Sequence, residues 1–580
     1  MKEFELLEKE FINYNPLVFD LGSIDSTNIL GTTFDVQFSN NICFPEVRLG
    51  FHHFIHQAKD KMEAVEQFSS RKKIYLVTSL FEKNIDYKEK TDDNIEFTSI
   101  DNGIKELIKS IKPDFPQLLN RAFLKMWEML VEFELIPDTD NFTSSHLAEG
   151  PGSFIQATIL FRELQAKIGK IKSCSKDNYY GVTLHSDHEH LLMHQDFIKY
   201  FSKESYKRLH IMETKSIKEI RDLYGGANNS QNIISNSKLL SNGPVTNGDL
   251  TKLNTIKQFA GGKDIESFGK PSDLVTSDGG FDWKRENLQE QEAYRLIFSE
   301  IVTALKIQKD GGNFVIKIFE SYTKITIKII QMLRQLYSLV YICKPFTSRI
   351  SNSEKYIVCK GFKKSLCTSK IMSKLEEQIK MMNKNEQYQI LDIFTEIELS
   401  EQVYKMYNKI NSELLVKQYT GINNIIKFIN LDNYNGIEFN NFLDKQIIAS
   451  HFWNNFFLEP KLYPKIIKYF KKFDFLEYKK QIDGKKQIEN EPISTENTKE
   501  IPNGKLSRST KIKSNKSNLK KTKNNQKGGA NFLSDSDNSD DANLLLEYEN
   551  ASIDSSDEIV GKLDSDDNSD NLEIVDLNNI

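Results

Sequence analysis

Four ionisable residues stand where chemistry is possible. Lys125 sits in the helix-like run "LLNRAFLKMWEMLVEF", Asp278 ends "DLVTSD" ahead of Gly279-Gly280, Lys317 interrupts the apolar run "FVIKIF", and Glu354 precedes "KYIVCKGF". A lysine inside a buried strand is costly unless it is paired or reaches a cleft. It can also be a strand-end lysine that snorkels to water. Asp278 has a structural reading as well, as an Asx residue starting a Gly-Gly turn. A fifth feature is the corner Glu149-Gly150-Pro151-Gly152, between the strand-like "SSHLA" and the helix-like "SFIQATILFRELQAKIG". Strand, glycine turn and helix N-terminus make a nucleotide-binding corner, although an ordinary βα turn has the same outline.

The elements that must position these residues alternate regularly from Leu118 onward. "YYGVTL", "SDLVTSDGG", "GGNFVIKIF" and "KYIVCKGF" read as strands, and "LQEQEAYRLIFSEIVTALKIQ" and "TKITIKIIQMLRQLY" as helices between them. The stretch "QDFIKYFSKESYKRLHIMETKSIKEIRDLY" reads as a mixed insertion, and "GGANNSQNIISNSKLLSNGPVTNGD" as a polar loop. This alternation predicts an α/β fold, a doubly wound, mostly parallel sheet with ligands at the C-terminal ends of its strands. After Cys367 the periodicity is helical and strands are expected to stop. Before Leu118, strand-like "KKIYLVTSLF" and helix-like "FHHFIHQAKDKMEAVEQF" are mixed. His52, His53 and His56 fall on or near one helical face; a metal site is conceivable there, but no partnering Cys or carboxylate cluster is evident in the sequence, and no metal is assigned. A packed or RNA-facing helix is the favoured reading.

The chain has 580 residues, enough for about three or four domains. Residues 1–115 read as an N-terminal accessory region, 116–365 as the α/β domain, 366–482 as a helical accessory domain and 483–580 as a charged tail. The net charge of −5 conceals a basic block at residues 501–530 followed by an acidic one at 531–580. With few aromatics, this tail is expected to be disordered. The basic block reads equally as a nucleic-acid-contacting arm or as a linker pairing loosely with the acidic end. Ser534, Ser536 and Ser539 lie beside acids as phosphorylation candidates. The five cysteines are scattered, with no Cys-x-x-Cys pair, which argues against a zinc ribbon or a disulfide framework and for a reducing compartment. No long uncharged apolar run and no signal-peptide pattern is present, so no membrane association is expected. "GGKDIESFGKP" is not a P-loop, because the glycine spacing is wrong and Pro271 follows Lys270.

In order, a helical Lys, E-G-P-G, D-L-V-x-S-D-G, G-G-x-F-V-x-K and S-R-x-x-x-S-E-K-Y-x-V resemble the FtsJ/RrmJ-like RNA 2′-O-methyltransferases, nearest the cap-specific eukaryotic and viral branch that includes the Adrift type. The resemblance spans roughly Leu118 to Phe362. It implies a Rossmann-like S-adenosylmethionine methyltransferase core with flanking accessory regions. It implies that Lys125, Asp278, Lys317 and Glu354 match a catalytic K-D-K-E tetrad. Glu149, Gly150, Pro151 and Gly152 match the S-adenosylmethionine loop, and Asp249 in "NGDLT" matches the adenine-contacting Asp. The second strand departs from the family: "YYGVTLHSD" has no immediate acid at its end to hold the cofactor ribose.

The implied chemistry is consistent with those residue types. A ribose 2′-hydroxyl is a poor nucleophile until it loses its proton, and a sulfonium donor departs as a neutral thioether, so the transfer needs alignment and a base but no metal. Lys317 is the implied base. Low exposure and like charge from Lys125 favour its amine, whereas Asp278 and Glu354 oppose it, and the sequence leaves the balance open.

The implied partner is RNA, with capped mRNA favoured and the capping or transcription machinery as possible company. A ribosomal or transfer RNA methyltransferase and a non-catalytic RNA-binding scaffold are the alternatives. Trp127, Tyr179, Tyr180 and Trp283 are candidates for stacking on a cap base, against a reading as core or cofactor-wall packing. An intracellular location is expected, cytoplasmic or nuclear. The richness in Asn, Lys and Ile suggests an AT-rich genome such as that of a large DNA virus, which would place the protein in host cytoplasm.

Overall fold

The computed structural model describes residues 17–458 other than 25–28, 32, 48, 62–80, 82–99, 117, 187–191, 202–207, 224–245, 281–287, 432–436, 438–445, 447–448, 451–452 and 455, together with 471–472. The charged tail, its serines, Trp283, most of "KKIYLVTSLF" and the polar loop before Thr246 lie outside the described residues.

The elements run β1 (Leu17–Asp20), β2 (Val36–Ser39), α1 (Leu49–Asp60), α2 (Ile100–Ile111), α3 (Ala122–Glu132), β3 (Thr143–Leu147), α4 (Ser153–Lys167), β4 (Asn178–Val182), α5 (Gln195–Phe201), β5 (Leu209–Ile211), α6 (Ile217–Leu223) and α7 (Leu253–Ala260). They continue with β6 (Ser272–Ser277), α8 (Gln289–Ile307), β7 (Gln308–Ile318), α9 (Lys324–Leu336), β8 (Tyr337–Lys344), β9 (Lys355–Phe362), α10 (Ser369–Lys384), β10 (Gln389–Ile393), α11 (Glu401–Leu431) and the two-residue β11 (Lys471–Lys472).

One sheet has the order β11-β1-β8-β9-β7-β6-β3-β4-β5. From β7 through β6, β3 and β4 to β5 every pairing is parallel. β9 then enters antiparallel between β7 and β8. Both faces are covered, which is why β7 and β9 carry apolar runs, whereas β3 buries Ser144, Ser145 and His146, each hydrogen-bonded. One face packs on α7, α8 and α9, with Ile256, Phe298, Ile301 and Ile330 in its core. The other packs on α3 and α4, with Phe123, Trp127, Ile155 and Leu160. The α/β, Rossmann-like expectation holds.

One local expectation needs correction, and two strands stand where the sequence reading placed none. Residues 338–344, left without a strand in the sequence reading, form most of β8. Strands do not stop after Cys367, because β10 pairs antiparallel with β2. That pairing buries Ile390 and Ile393, and Phe394 meets Phe34 edge-on at 5.2 Å between ring centroids. The N-terminal stretch is also joined to the main sheet, since β1 adds antiparallel to β8 with Leu17 opposite Lys344. For β10 and β1 the partner strand is distant in sequence, so local periodicity carries no sign of it. The mixed insertion contributes the edge strand β5.

Candidate functional site

The period-two alternation of β7 decides where Lys317 goes. Phe314, Ile316 and Ile318 point into the α7–α9 face, and Val315 into the α3–α4 face. Lys317 therefore projects on the α3 side. Ser277 of β6 is opposite Ile316, so Asp278 falls beside Lys317 at the strands' C-terminal edge. Lys317 is opposite Tyr356 of β9. Because β9 runs antiparallel, its N-terminal end lies at this same edge and Glu354, two residues before Tyr356, shares its face. Helix α3 supplies Lys125 from above. Its start is fixed to α4 by Asn120, whose Oδ1 accepts from Ala122 N at 2.8 Å and from Ser153 Oγ at 2.9 Å.

The four residues converge. Lys125 Nζ donates to Glu354 Oε1 at 2.5 Å. Lys317 Nζ lies 3.2 Å from Asp278 Oδ1 and donates to the Asp278 carbonyl at 2.8 Å. The sequence reading missed Tyr356, whose hydroxyl is within bonding distance of Glu354 Oε1 at 2.8 Å and of Asp278 Oδ1 at 3.1 Å, linking the two lysine–carboxylate pairs. It also missed Glu300 of α8, one of several polar positions in that helix and not set apart from them by its sequence. A Cβ on Gly279 would stand 2.1 Å from Glu300 Oε1, so this buried carboxyl lies directly against the turn after Asp278. Burial pushes Glu300 up to about 8.

Burial depresses the Lys317 ammonium, but the carboxylates of Asp278 and then Glu354 more than offset it, and the group is held above its ordinary value. The balance left open by the sequence thus falls on the charged side. Burial raises Glu354, yet Lys125 and then Lys317 outweigh it and hold that carboxyl well below the usual range. The Tyr356 hydroxyl is pushed well up, by burial first and then by Asp278 and Glu354, so it stays a protonated donor. Tyr356→Phe removes this shared bond. At about 1.5–3 kcal/mol for a hydrogen bond to a charged group, stability is expected to fall by about that much, and any turnover carried by the tetrad by about tenfold or more as the two carboxylates lose their common partner. Steady-state kinetics beside a melting curve check this.

The glycine corner lies at the same edge. Gly152 has φ +115°, and a Cβ there would come within 3.0 Å of Met193. The Glu149 carboxyl is buried; its Oε1 accepts from Ile155 N at 2.9 Å, whereas Oε2 has no hydrogen-bond partner among the described residues. His146 Nδ1 approaches that oxygen only to 3.9 Å, and burial pushes His146 down to about 3, so it is neutral. Burial pushes Glu149 well up, and a ligand that brings donors or positive charge would restore its carboxylate. A buried acceptor without a partner is costly, and here it adjoins a left-handed glycine turn. The arrangement fits a ligand that brings its own donors.

Asp249 is brought to the same side through Thr183, another residue the sequence reading passed over. Thr183 Oγ1 accepts from Gly150 N at 3.2 Å, and its carbonyl lies 2.0 Å from where a Cβ on Gly248 would be, at φ +82°. Only glycine allows that approach. Asp249 Oδ1 itself caps the turn into α7, accepting from Thr251 N at 2.9 Å and Thr251 Oγ1 at 2.7 Å. Among the described residues no acid follows β4 directly. Three of the four stacking candidates are withdrawn from any ligand: Trp127 and Tyr179 are core, and Tyr180 is stacked on His210 at 4.7 Å, while Trp283 lies outside the described residues.

The loop between β8 and β9, residues 345–354, is held from below. Glu128 of α3 accepts from Phe346 N at 2.7 Å, Thr347 N at 3.0 Å and Trp453 Nε1 at 2.9 Å. Lys344 Nζ donates to the carbonyls of Asn352 at 2.8 Å and Glu354 at 2.7 Å. Glu354 is thus fixed from both its side chain and its backbone.

Just past the C-terminal end of β7, the structure gives the histidine helix a carboxylate the sequence did not reveal. His52 and His56 face Glu320, the second residue after β7, whereas His53 turns away to Gln57.

Comparison with known proteins follows the same residues. The FtsJ-like methyltransferase family model matches residues 118–362. A mouse protein named cap-specific mRNA (nucleoside-2′-O-)-methyltransferase 2 is 28% identical over 307 residues, covering 50% of this chain and 34% of its own. A zebrafish (Danio rerio) cap-specific mRNA (nucleoside-2′-O-)-methyltransferase 1 is 36% identical over 117 residues, 20% of this chain and 14% of its own. An uncharacterized protein of Acanthamoeba polyphaga mimivirus is 25% identical over 370 residues, 62% of this chain and 40% of its own. The chain therefore spans well under half the length of these relatives.

Proposed function

Taking as premise that residues 118–362 form an FtsJ-like methyltransferase domain, we propose that the protein is an S-adenosylmethionine-dependent RNA 2′-O-ribose methyltransferase acting on the cap-proximal nucleotide of mRNA. The observation that carries this reading is the convergence of Lys125, Asp278, Lys317 and Glu354 at one sheet edge, beside the Glu149–Gly152 corner. The cap assignment is supported by the names of the relatives and by the loop sequence "KPFTSRISNSEKY".

The cofactor supplies a methyl group on a sulfonium, an electrophile that asks only for an aligned, deprotonated nucleophile. Glu149, Gly150, Pro151 and Gly152 would hold it, with Glu149 Oε2 as the waiting acceptor and Asp249 on the adenine side. Lys317 takes the proton of the ribose 2′-hydroxyl, leaving an alkoxide, and Lys125 supplies positive charge close to it. Asp278 and Glu354 orient the two lysines, and Tyr356 locks the carboxylates together. An RNA substrate, the capping or transcription machinery as partner, and an intracellular location, cytoplasmic or nuclear, belong to the same proposal. All five cysteines are unpaired, in keeping with a reducing compartment.

Because the site holds Lys317 as ammonium, turnover is expected to rise with pH, about tenfold per unit while the pH stays below the lysine's own value. Glu354→Gln removes one of the carboxylates that retain the proton. The rising limb then moves to lower pH, even as maximal turnover falls because Lys125 loses its partner. A pH–rate profile of both proteins checks the sign; a limb that stays in place or moves upward contradicts the assignment.

The function itself is tested by methyl transfer from labelled S-adenosylmethionine to matched capped and uncapped RNAs, with nucleoside mass spectrometry. A 2′-O-methyl at the first or second transcribed nucleotide of capped RNA alone supports the proposal. Label on uncapped or structured RNA replaces the cap with ribosomal or transfer RNA. Cofactor binding without label on any RNA leaves a scaffold.

A further inference from the structure

Helix α1 carries two histidines four residues apart, the spacing that puts side chains on one helical face. His52 Nε2 and His56 Nε2 are 3.0 Å apart. Glu320 Oε2 lies 3.5 Å from the first and 3.4 Å from the second. All three side chains are withdrawn from water, at 11%, 8% and 2% exposure.

As a hydrogen-bonded cluster this arrangement is incomplete: the two rings are within bonding distance of each other, but neither reaches Glu320 at an ordinary distance. The contacts to Glu320 Oε2 are long for N–H···O bonds. That oxygen is buried and has no hydrogen-bond partner among the described residues, and neither has His56 Nδ1. Lys59 Nζ occupies the other carboxylate oxygen, Oε1, at 2.9 Å. Glu320 therefore turns one satisfied oxygen to a cation and one unsatisfied oxygen to two ring nitrogens.

As a coordination face the same three atoms are well placed. Tetrahedral sites with bonds of about 2.0–2.1 Å have ligand–ligand edges of about 3.3 Å. A point just off the plane of these three atoms lies about 2.0–2.1 Å from all of them, the Zn–N and Zn–O distance. Two imidazoles and one carboxylate suit zinc and its neighbours in the first transition row.

The mounting is fixed without the ion. The Tyr322 carbonyl accepts from Glu46 N at 2.9 Å and Val47 N at 3.0 Å, setting the entry to α1. Ser321 is bonded on its side chain and its carbonyl to Asn411 of α11, at 2.7 and 2.8 Å. The His52 ring meets Tyr322 edge-on at 5.1 Å between centroids.

We propose that His52, His56 and Glu320 bind one divalent transition-metal ion that clamps α1 to the C-terminal end of β7, three residues beyond Lys317. The ion is structural: its ligands are buried, none of them belongs to the tetrad or the glycine corner, and the proposal does not depend on the reaction assigned above.

The test uses the full chain. Element analysis of protein purified from metal-supplemented medium should give about one equivalent of zinc or another first-row metal. Protein stripped with chelator and titrated with Co²⁺ should develop the visible absorption of a low-symmetry Co²⁺ site, which Zn²⁺ then bleaches. Adding Zn²⁺ should raise the melting temperature of stripped protein. His56→Ala and the near-isosteric Glu320→Gln should lose the metal and the Co²⁺ signal, whereas His53→Ala keeps both. Wild-type protein that holds no metal, shows no Co²⁺ absorption and melts unchanged overturns the proposal. So does metal retained in full by both His56→Ala and Glu320→Gln. The Co²⁺ measurement on wild type keeps the test decisive if a variant does not fold.

Discussion

Replacing Lys317 with alanine should cost about 10²–10⁴ in methyl transfer, the range for loss of a positioned base, while S-adenosylmethionine binds almost as before. The two effects separate because of where the groups sit. Lys317 Nζ contacts the Asp278 side chain and carbonyl, whereas the corner is held by Thr183, Ile155 and its own turn. The truncation leaves Asp278 with the Tyr356 hydroxyl, so the edge keeps its shape. Lys317→Arg sharpens the result. A guanidinium retains the charge but does not surrender its proton near neutral pH, so that variant should be as inactive as the alanine. Single-turnover methyl transfer and calorimetric cofactor binding read both quantities. Turnover near wild type in either variant removes Lys317 from the role of base.

The second large effect is on stability. Arg162 of α4 is fully buried and bonded to Asp177, Nε to Oδ2 at 2.8 Å and Nη2 to Oδ1 at 3.0 Å, with further bonds to the carbonyls of Pro137 and Thr139. Asp177 is fully buried too and accepts from Phe142 N at 3.0 Å, so the pair joins the helix after the corner to the starts of both β3 and β4. Arg162→Met strands a buried carboxylate and should destabilise the protein by about 3–5 kcal/mol. Adding Asp177→Leu should restore part of that loss, since two apolar groups leave no orphaned charge. Denaturant unfolding of the single and double variants gives the numbers. A single variant within 1 kcal/mol of wild type, on that same scale, would mean the charges are solvated in solution.

The central α/β layer was readable because each element carries its own pattern. Phe314, Ile316 and Ile318 announce a strand, and the break at Lys317 marks the position that leaves the core. The order of the motifs then named the four groups of the tetrad. Residues whose meaning depends on distant partners were not readable. Tyr356 looks like any strand aromatic until β9 is placed antiparallel beside β7. Glu320 sits more than two hundred and fifty residues from His56, so the histidine spacing alone left its partner unnamed. β8 adjoins a helix with no loop between them, and β10 depends on β2 for its pairing, so no turn signal or local alternation separates either one.

The attachment of β1 to β8 has a consequence for how the chain is made. Leu17–Asp20 leave the ribosome well before their partner strand, which is synthesised roughly 300 residues later, about 15–60 s at ordinary elongation rates. Through that interval the apolar Leu17, Val18 and Phe19 have no strand to pair with. The complementary problem faces anyone who cuts the gene to residues 118–362. The excised piece keeps β8 but loses the strand that covers it, and its bare edge offers a row of unpaired amides and carbonyls to the next copy. A shortened protein for the bench should therefore carry residues 17–20, or it is expected to precipitate rather than report on the chemistry.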